Sequence, residues 1–178
     1  MLPDKIILVG FMGSGKSSVG KELSKRLKIK YLDSDVCIEE NEKKRINDIF
    51  EEDGEEAFRN MESDFLKNIS LSKEGFVLST GGGMPCFNDN AKLIKNLGNS
   101  FYLMASPDTI LDRLKNDSSR PLLKDGNKYE KISNLLSKRE EFYKKAADII
   151  IETDGKNIDE ITDEIIGCLG DKIWRIYI

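Results

Sequence analysis

The chain has 178 residues, enough for one domain with a full core, and its 28 Lys and Arg against 32 Asp and Glu leave a formal net charge of −4. That balance excludes a general nucleic-acid or membrane surface, so an anionic ligand needs a local cluster of basic side chains. No histidine is present, which excludes imidazole catalysis and histidine-ligated metals and leaves acid–base work to Asp, Glu, Lys or Tyr.

In chain order, the apolar run 5–9 predicts a buried strand. It leads into Gly10-Phe11-Met12-Gly13-Ser14-Gly15-Lys16-Ser17, which fits the phosphate-binding pattern G-x-x-x-x-G-K-[ST]. Val19, Leu23 and Leu27 then recur at helical spacing. Strand, glycine loop and helix start are the setting this motif requires. Backbone N–H groups of residues 13–18 can turn toward phosphate oxygens, aided by the helix dipole. Lys16 can reach the β- and γ-phosphates, and the Ser17 hydroxyl can ligate Mg²⁺. The loop predicts a nucleoside triphosphate and leaves the acceptor open.

Residues 29–33 predict a second strand, followed by helical stretches to about residue 71. Residues 76–80 predict a third strand ending in Gly81-Gly82-Gly83, and residues 100–104 a fourth. Ser106-Pro107 supplies an N-cap and first helical residue. Residues 116–128 are polar and aperiodic, either an ordinary surface loop or a lid with Arg120 as its charged tip. Residues 148–151 predict a fifth strand. The last helix opens at Asn157 with Glu160 three residues on, a capping box, and carries Ile158, Ile161, Ile165, Ile166 and Leu169 as a stripe. Alternating strands and helices predict a mostly parallel sheet covered on both faces. Cys37, Cys86 and Cys168 are scattered, without metal or disulfide spacing. With no signal-peptide core and no spanning segment in the sequence, the expectation is a cytoplasmic protein.

Asp33-Ser34-Asp35 leaves the second strand. In an extended chain both carboxylates face the crevice at the strand ends, one for a metal shell and one for a hydroxyl proton; a solvated turn with an N-cap Asp is the other reading. Arg59 borders the stripe Phe58, Met61, Phe65 and Ile69. Arg139 shares a face with Ile132, Leu135, Leu136 and Tyr143. Each arginine clamps a bound anion or pairs internally with a Glu. Three successive glycines favour close ligand approach to backbone. These residues leave open several small-molecule kinases, gluconate and nucleoside-monophosphate kinases among them, and a nucleotide-dependent switch.

Six stretches in register carry a resemblance along nearly the whole chain: Gly10 to Ser18, Asp33-x-Asp35, Phe50-x-x-x-Gly54-Glu55-x-x-Phe58-Arg59, Ser79-Thr80-Gly81-Gly82-Gly83, Arg120-Pro121-Leu122-Leu123 and Arg139-x-x-x-Tyr143. Together they resemble the shikimate kinase family. The resemblance implies a single kinase domain over 1–178 with a three-layer α/β/α fold, a central five-stranded parallel sheet, a substrate-binding helical region at about 34–71 and a mobile lid at about 116–128. It implies transfer of phosphate from ATP to the 3-hydroxyl of shikimate in aromatic amino acid biosynthesis, one Mg²⁺ per subunit, a monomer, and no nucleic-acid or membrane partner. By position, Asp35 is the base or orienting group, with Lys16 and Arg120 its catalytic companions. Asp33 joins Ser17 in the magnesium shell. Gly13, Ser14, Gly15, Lys16, Ser17, Ser18, Arg113, Arg120 and Lys156 contact ATP, Arg113 by stacking on adenine. Asp35, Arg59, Gly81, Gly82, Gly83 and Arg139 contact shikimate, the two arginines at its carboxylate. Ile158 stands where the family commonly has Pro, and the ending Trp174 to Ile178 matches no motif.

Overall fold

The computed structural model describes residues 5–115 and 127–176, excepting the side chains of 171–176. Five parallel strands form one sheet: β1 (Lys5–Val9), β2 (Lys30–Asp33), β3 (Phe76–Ser79), β4 (Asn99–Met104) and β5 (Ile149–Glu152), in the spatial order β2-β3-β1-β4-β5. β1 is flanked by β3, with Leu8 opposite Ser79, and by β4, with Leu8 opposite Phe101. Successive side chains of a strand point to opposite faces, and both faces here are buried. Ile6 and Leu8 join Phe101, Leu103 and Ile151 in one core, while Ile7 and Val9 join Leu78 and Tyr102 in the other. That explains why β1 reads as a continuous apolar run rather than an alternating one.

The first core is closed by α1 (Lys16–Leu27) and α8 (Ile158–Ile176), through Val19, Leu23, Ile161, Ile165 and Leu169. The second is closed by α4 (Gly54–Ser70), α5 (Asn90–Leu97), α6 (Pro107–Arg113) and α7 (Lys128–Ala146), which place Leu66, Ile94, Ile110, Ile132 and Tyr143 against the sheet. The expected three layers are thus in place. The expected caps form too. Ser106 accepts from the Thr109 amide, and Asn157 and Glu160 exchange side-chain to backbone hydrogen bonds of 2.7 and 2.9 Å.

The helical region after β2 divides into α2 (Ser34–Glu42), α3 (Ile46–Glu52) and α4, around a small core of Ile38, Ile49 and Phe58. Here the extended reading of residues 33–35 is corrected. Asp33 is the N-cap of α2, accepting from the Asp35 amide at 3.1 Å, and Asp35 sits in the first helical turn. The capping bond turns the chain sharply, so the period-2 argument does not apply to this pair. Of the lid expected at about 116–128, residues 116–126, Arg120 among them, lie outside the described residues, while Asn127 and Lys128 are the N-cap and first residue of α7; the side chains of the Trp174 to Ile178 ending also lie outside. Among the described residues, no helix is long and apolar enough to cross a membrane.

Leu8 is fully buried at the centre of the sheet. Leu8→Ala is expected to lower the unfolding free energy by about 2–5 kcal/mol, measured by urea denaturation; a loss under about 1 kcal/mol would show that the core closes over the gap.

Candidate active site

The carboxyl ends of β1 and β3 meet at a cavity of about 610 Å³, within the usual size of a small-molecule site. One wall is the loop between β1 and α1. Gly15 is its N-cap with φ +101°, a left-handed conformation that favours glycine. Lys16 is buried, and its Nζ donates to the carbonyls of Gly10 and Phe11 at 2.8 and 2.9 Å, reaching back across the loop. Ser14 Oγ is fully buried with no hydrogen-bond partner among the described residues. Such an orphan ordinarily costs about 1–3 kcal/mol; Ser14 does not line the cavity, and a methyl group on Gly10 would stand 2.8 Å from its Oγ.

The opposite wall holds Asp33, Asp35, Thr80, Gly81 and Gly82. Ser17 Oγ donates to Asp33 Oδ2 at 3.4 Å and Tyr31 donates to the same oxygen at 3.3 Å. Asp35 faces the loop after β3. A methyl group on Gly81 would lie 2.5 Å from Asp35 Oδ1, and one on Gly83 would lie 3.0 Å from the Arg59 guanidinium. At these two positions the missing side chains also make room for Asp35 and Arg59. Gly82 lines the cavity, and its carbonyl accepts from the Tyr143 hydroxyl at 2.6 Å.

Neither Arg59 nor Arg139 lines that cavity; both stand just beyond the glycines. Arg59 Nη1 donates to Glu62 at 2.9 Å, and its Nε and Nη2 both reach Glu55 Oε1, at 3.3 and 2.9 Å. Its guanidinium also stands 4.0 Å from the centre of the Phe87 ring, a favourable cation–π distance. The internal-pair reading thus describes Arg59 here. Arg139 is half-buried, beside the Tyr143 hydroxyl and within electrostatic reach of Glu62 and Cys86. Among the described residues it makes no ion pair.

At the far end of the cavity Arg113 donates to the carbonyls of Ser14 and Thr153, at 3.1 and 2.9 Å, and to Thr153 Oγ1. Donated N–H bonds of this kind lie in the guanidinium plane. Lys156, Asn157 and Ile158 complete that end, with Lys156 paired to Glu164. Among the described residues, no group of three or more carboxylates or thiols could hold a metal. Ser17 and Asp33 instead fit a magnesium ion bound by few protein oxygens together with substrate phosphates.

Three positioning residues escaped the sequence analysis. Ser34 Oγ accepts from the Gly81 amide at 2.8 Å, tying the start of α2 to the glycine loop. Thr153 holds Arg113 from 40 residues away. Glu62 is 1% exposed and takes the inner side of Arg59; its spacing of three from Arg59 on an apolar stripe was the available signal.

A phosphate loop, an acceptor wall of carboxylates and a pair of arginines on this sheet define a P-loop kinase for a small molecule. Comparison with known proteins narrows the class. The family model for shikimate kinase matches residues 12–170. A shikimate kinase of Sulfurihydrogenibium is 47% identical over 161 residues, covering 90% of this chain and 95% of that one. One from Dictyoglomus turgidum is 45% identical over 166 residues, covering 92% and 95%. Among solved structures, the Acinetobacter baumannii shikimate kinase in complex with shikimate superposes with a TM-score of 0.87 at 34% identity, covering 96% and 94%. A Sinorhizobium meliloti gluconokinase, at 14% identity and a TM-score of 0.62, shares the fold alone. The chain belongs to the shikimate kinase family.

Burial, opposed by the Arg59 guanidinium and reinforced by Asp35, pushes the Glu62 carboxyl up to about 7. A carboxyl raised in this way holds its proton more tightly in the folded state than in the unfolded chain. Its contribution to stability is therefore full below about pH 4.5 and lost as pH rises through 7. Relative to Glu62→Gln, the wild type is expected to lose on the order of 3 kcal/mol between pH 4.5 and 8, read from urea unfolding at several pH values. A constant difference would mean that Glu62 is ionised throughout.

Proposed function

We propose that this chain transfers the γ-phosphoryl group of ATP to the 3-hydroxyl of shikimate, giving shikimate 3-phosphate and ADP. The observation that carries the reading is the single cavity whose walls are the phosphate loop and the Asp33–Asp35 turn, in a chain of the shikimate kinase family. Donor and acceptor sites share one cavity, as in-line transfer requires.

Gly13 to Ser18 hold the triphosphate, with Lys16 buried in the cavity wall. Arg113 offers its guanidinium face to the adenine, and Lys156 and Ile158 border the base. Ser17 and Asp33 hold magnesium, which when bound neutralises charge on the transferred group. Asp35, fixed by the first turn of α2 and given space by Gly81, orients the acceptor hydroxyl and takes its proton. Arg59 and Arg139 receive the substrate's carboxylate behind Gly82 and Gly83, where a planar fork suits a carboxylate better than an ammonium. The sequence motif at Arg120 supports a further phosphate contact from that residue. Positioning and charge neutralisation supply the rate, with no covalent intermediate. The reading takes the chain as one catalytic unit.

The direct test is ADP release from ATP and Mg²⁺, followed with shikimate, gluconate or a nucleoside monophosphate as acceptor. Release that requires shikimate is expected; release driven equally by another acceptor would overturn the reading. Asp35→Asn preserves shape while removing the base, and is expected to lower kcat by about 10²- to 10⁴-fold with an unchanged melting temperature. Near-normal turnover would remove the role. Arg139→Ala is expected to raise the shikimate KM by about 30-fold, the low end for a truncated charged pair because the residue is only half-buried, and to leave the ATP KM in place. An unchanged shikimate KM would assign Arg139 to packing.

A further inference from the structure

The two carboxylates on Arg59 differ in kind. Glu62 is 1% exposed and takes Nη1; Glu55 is 58% exposed and lays one oxygen across the Nε and Nη2 edge. That edge is the side of a guanidinium on which a carboxylate docks through two parallel hydrogen bonds. Glu55 lies in the first turn of α4, one turn before Arg59, where its side chain can leave for water at small cost. Arg59 does not depend on it for position. The guanidinium is 12% exposed, anchored by Glu62 and close to the rings of Phe87, Phe58 and Phe50, at 4.0, 5.4 and 5.9 Å.

We propose that Glu55 is a built-in stand-in for the substrate's carboxylate, occupying the docking edge of Arg59 until the substrate displaces it. The inference rests on the reading that Arg59 receives that carboxylate. The exchange swaps one carboxylate for another, so the charge around the buried Arg59–Glu62 pair is the same before and after. Arg59 is therefore never left with an open cationic edge beside a nucleotide-binding cavity. An incoming anion must out-compete a tethered carboxylate, which selects for one that also satisfies Asp35 and Arg139. Inorganic phosphate or sulfate, with no alcohol hydroxyl to offer Asp35, competes less well.

The test compares steady-state kinetics of the wild type, Glu55→Ala and Arg59→Lys on shikimate and on its carboxamide, with a melting curve for each protein. In Glu55→Ala the shikimate KM is expected to fall about two- to five-fold, the worth of an exposed ion pair, with kcat held. The carboxamide KM should not move, and sulfate should inhibit more strongly than in the wild type. A shikimate KM that rises would make Glu55 a support for Arg59, and one that stays level would make it a bystander; either result overturns the proposal. Arg59→Lys separates this from the underlying reading, because it keeps the charge facing Glu62 and removes the fork. If its shikimate KM equals that of the wild type, the assignment of the carboxylate to Arg59 fails. If that KM rises while Glu55→Ala lowers nothing, only the stand-in fails.

Discussion

The site depends on a seam between β1 and β3. The Thr80 amide and hydroxyl both donate to the Leu8 carbonyl at 3.1 Å, and Ser79 Oγ donates to the Lys16 carbonyl at 3.0 Å. These bonds fasten the loop after β3 to the strand before the phosphate loop and to the helix after it. The seam is buried, so each bond is costly to lose. Its effect is to hold the donor side and the acceptor side of the cavity in one register. A shift of about 1 Å between them would cost phosphoryl transfer far more than it would cost the fold.

From that seam the acceptor wall is built by relay. Thr80 fixes the start of the glycine loop, the Gly81 amide is held by Ser34, and Ser34 belongs to the same turn that Asp33 caps. Asp33 then has three neighbours to satisfy: the Asp35 amide, Ser17 and Tyr31. One carboxylate thus links the phosphate loop, the second strand and the first turn of α2. Burial pushes the Tyr31 phenol above its ordinary value, so it remains a neutral donor to Asp33. On the far side, Tyr143 carries the relay from Gly82 into α7, where Arg139 resides.

Much of this was legible in the sequence, for physical reasons. The phosphate loop is a local structure whose spacing is dictated by backbone geometry. The strands and covering helices follow from apolar periodicity, because each element must bury one face or both. The caps at Ser106 and Asn157 were readable because they act within four residues. Legibility failed where a contact links distant parts of the chain. Nothing near Arg113 in sequence announces Thr153, and nothing near Gly81 announces that Asp35 will need its space. The error at Asp33-Ser34-Asp35 has the same root: strand and helix start adjoin there, and one capping bond decides which rule governs residue 35. For Arg59, the pattern allowed an internal partner or a bound one, and sequence alone had no means of ranking an inner Glu62 against an outer Glu55.

Gly81 also constrains how such a site can diversify. The space a side chain would occupy is already filled by Asp35, so position 81 cannot gain a group without displacing that carboxylate from the cavity wall. Gly83 is bounded in the same way by Arg59. The glycine loop is thus a part of the wall with little room to change. The neighbouring helices α4 and α7 are less confined, since their outer faces meet solvent. The architecture thus sets a sterically closed floor beside helices whose outer positions have open space around them.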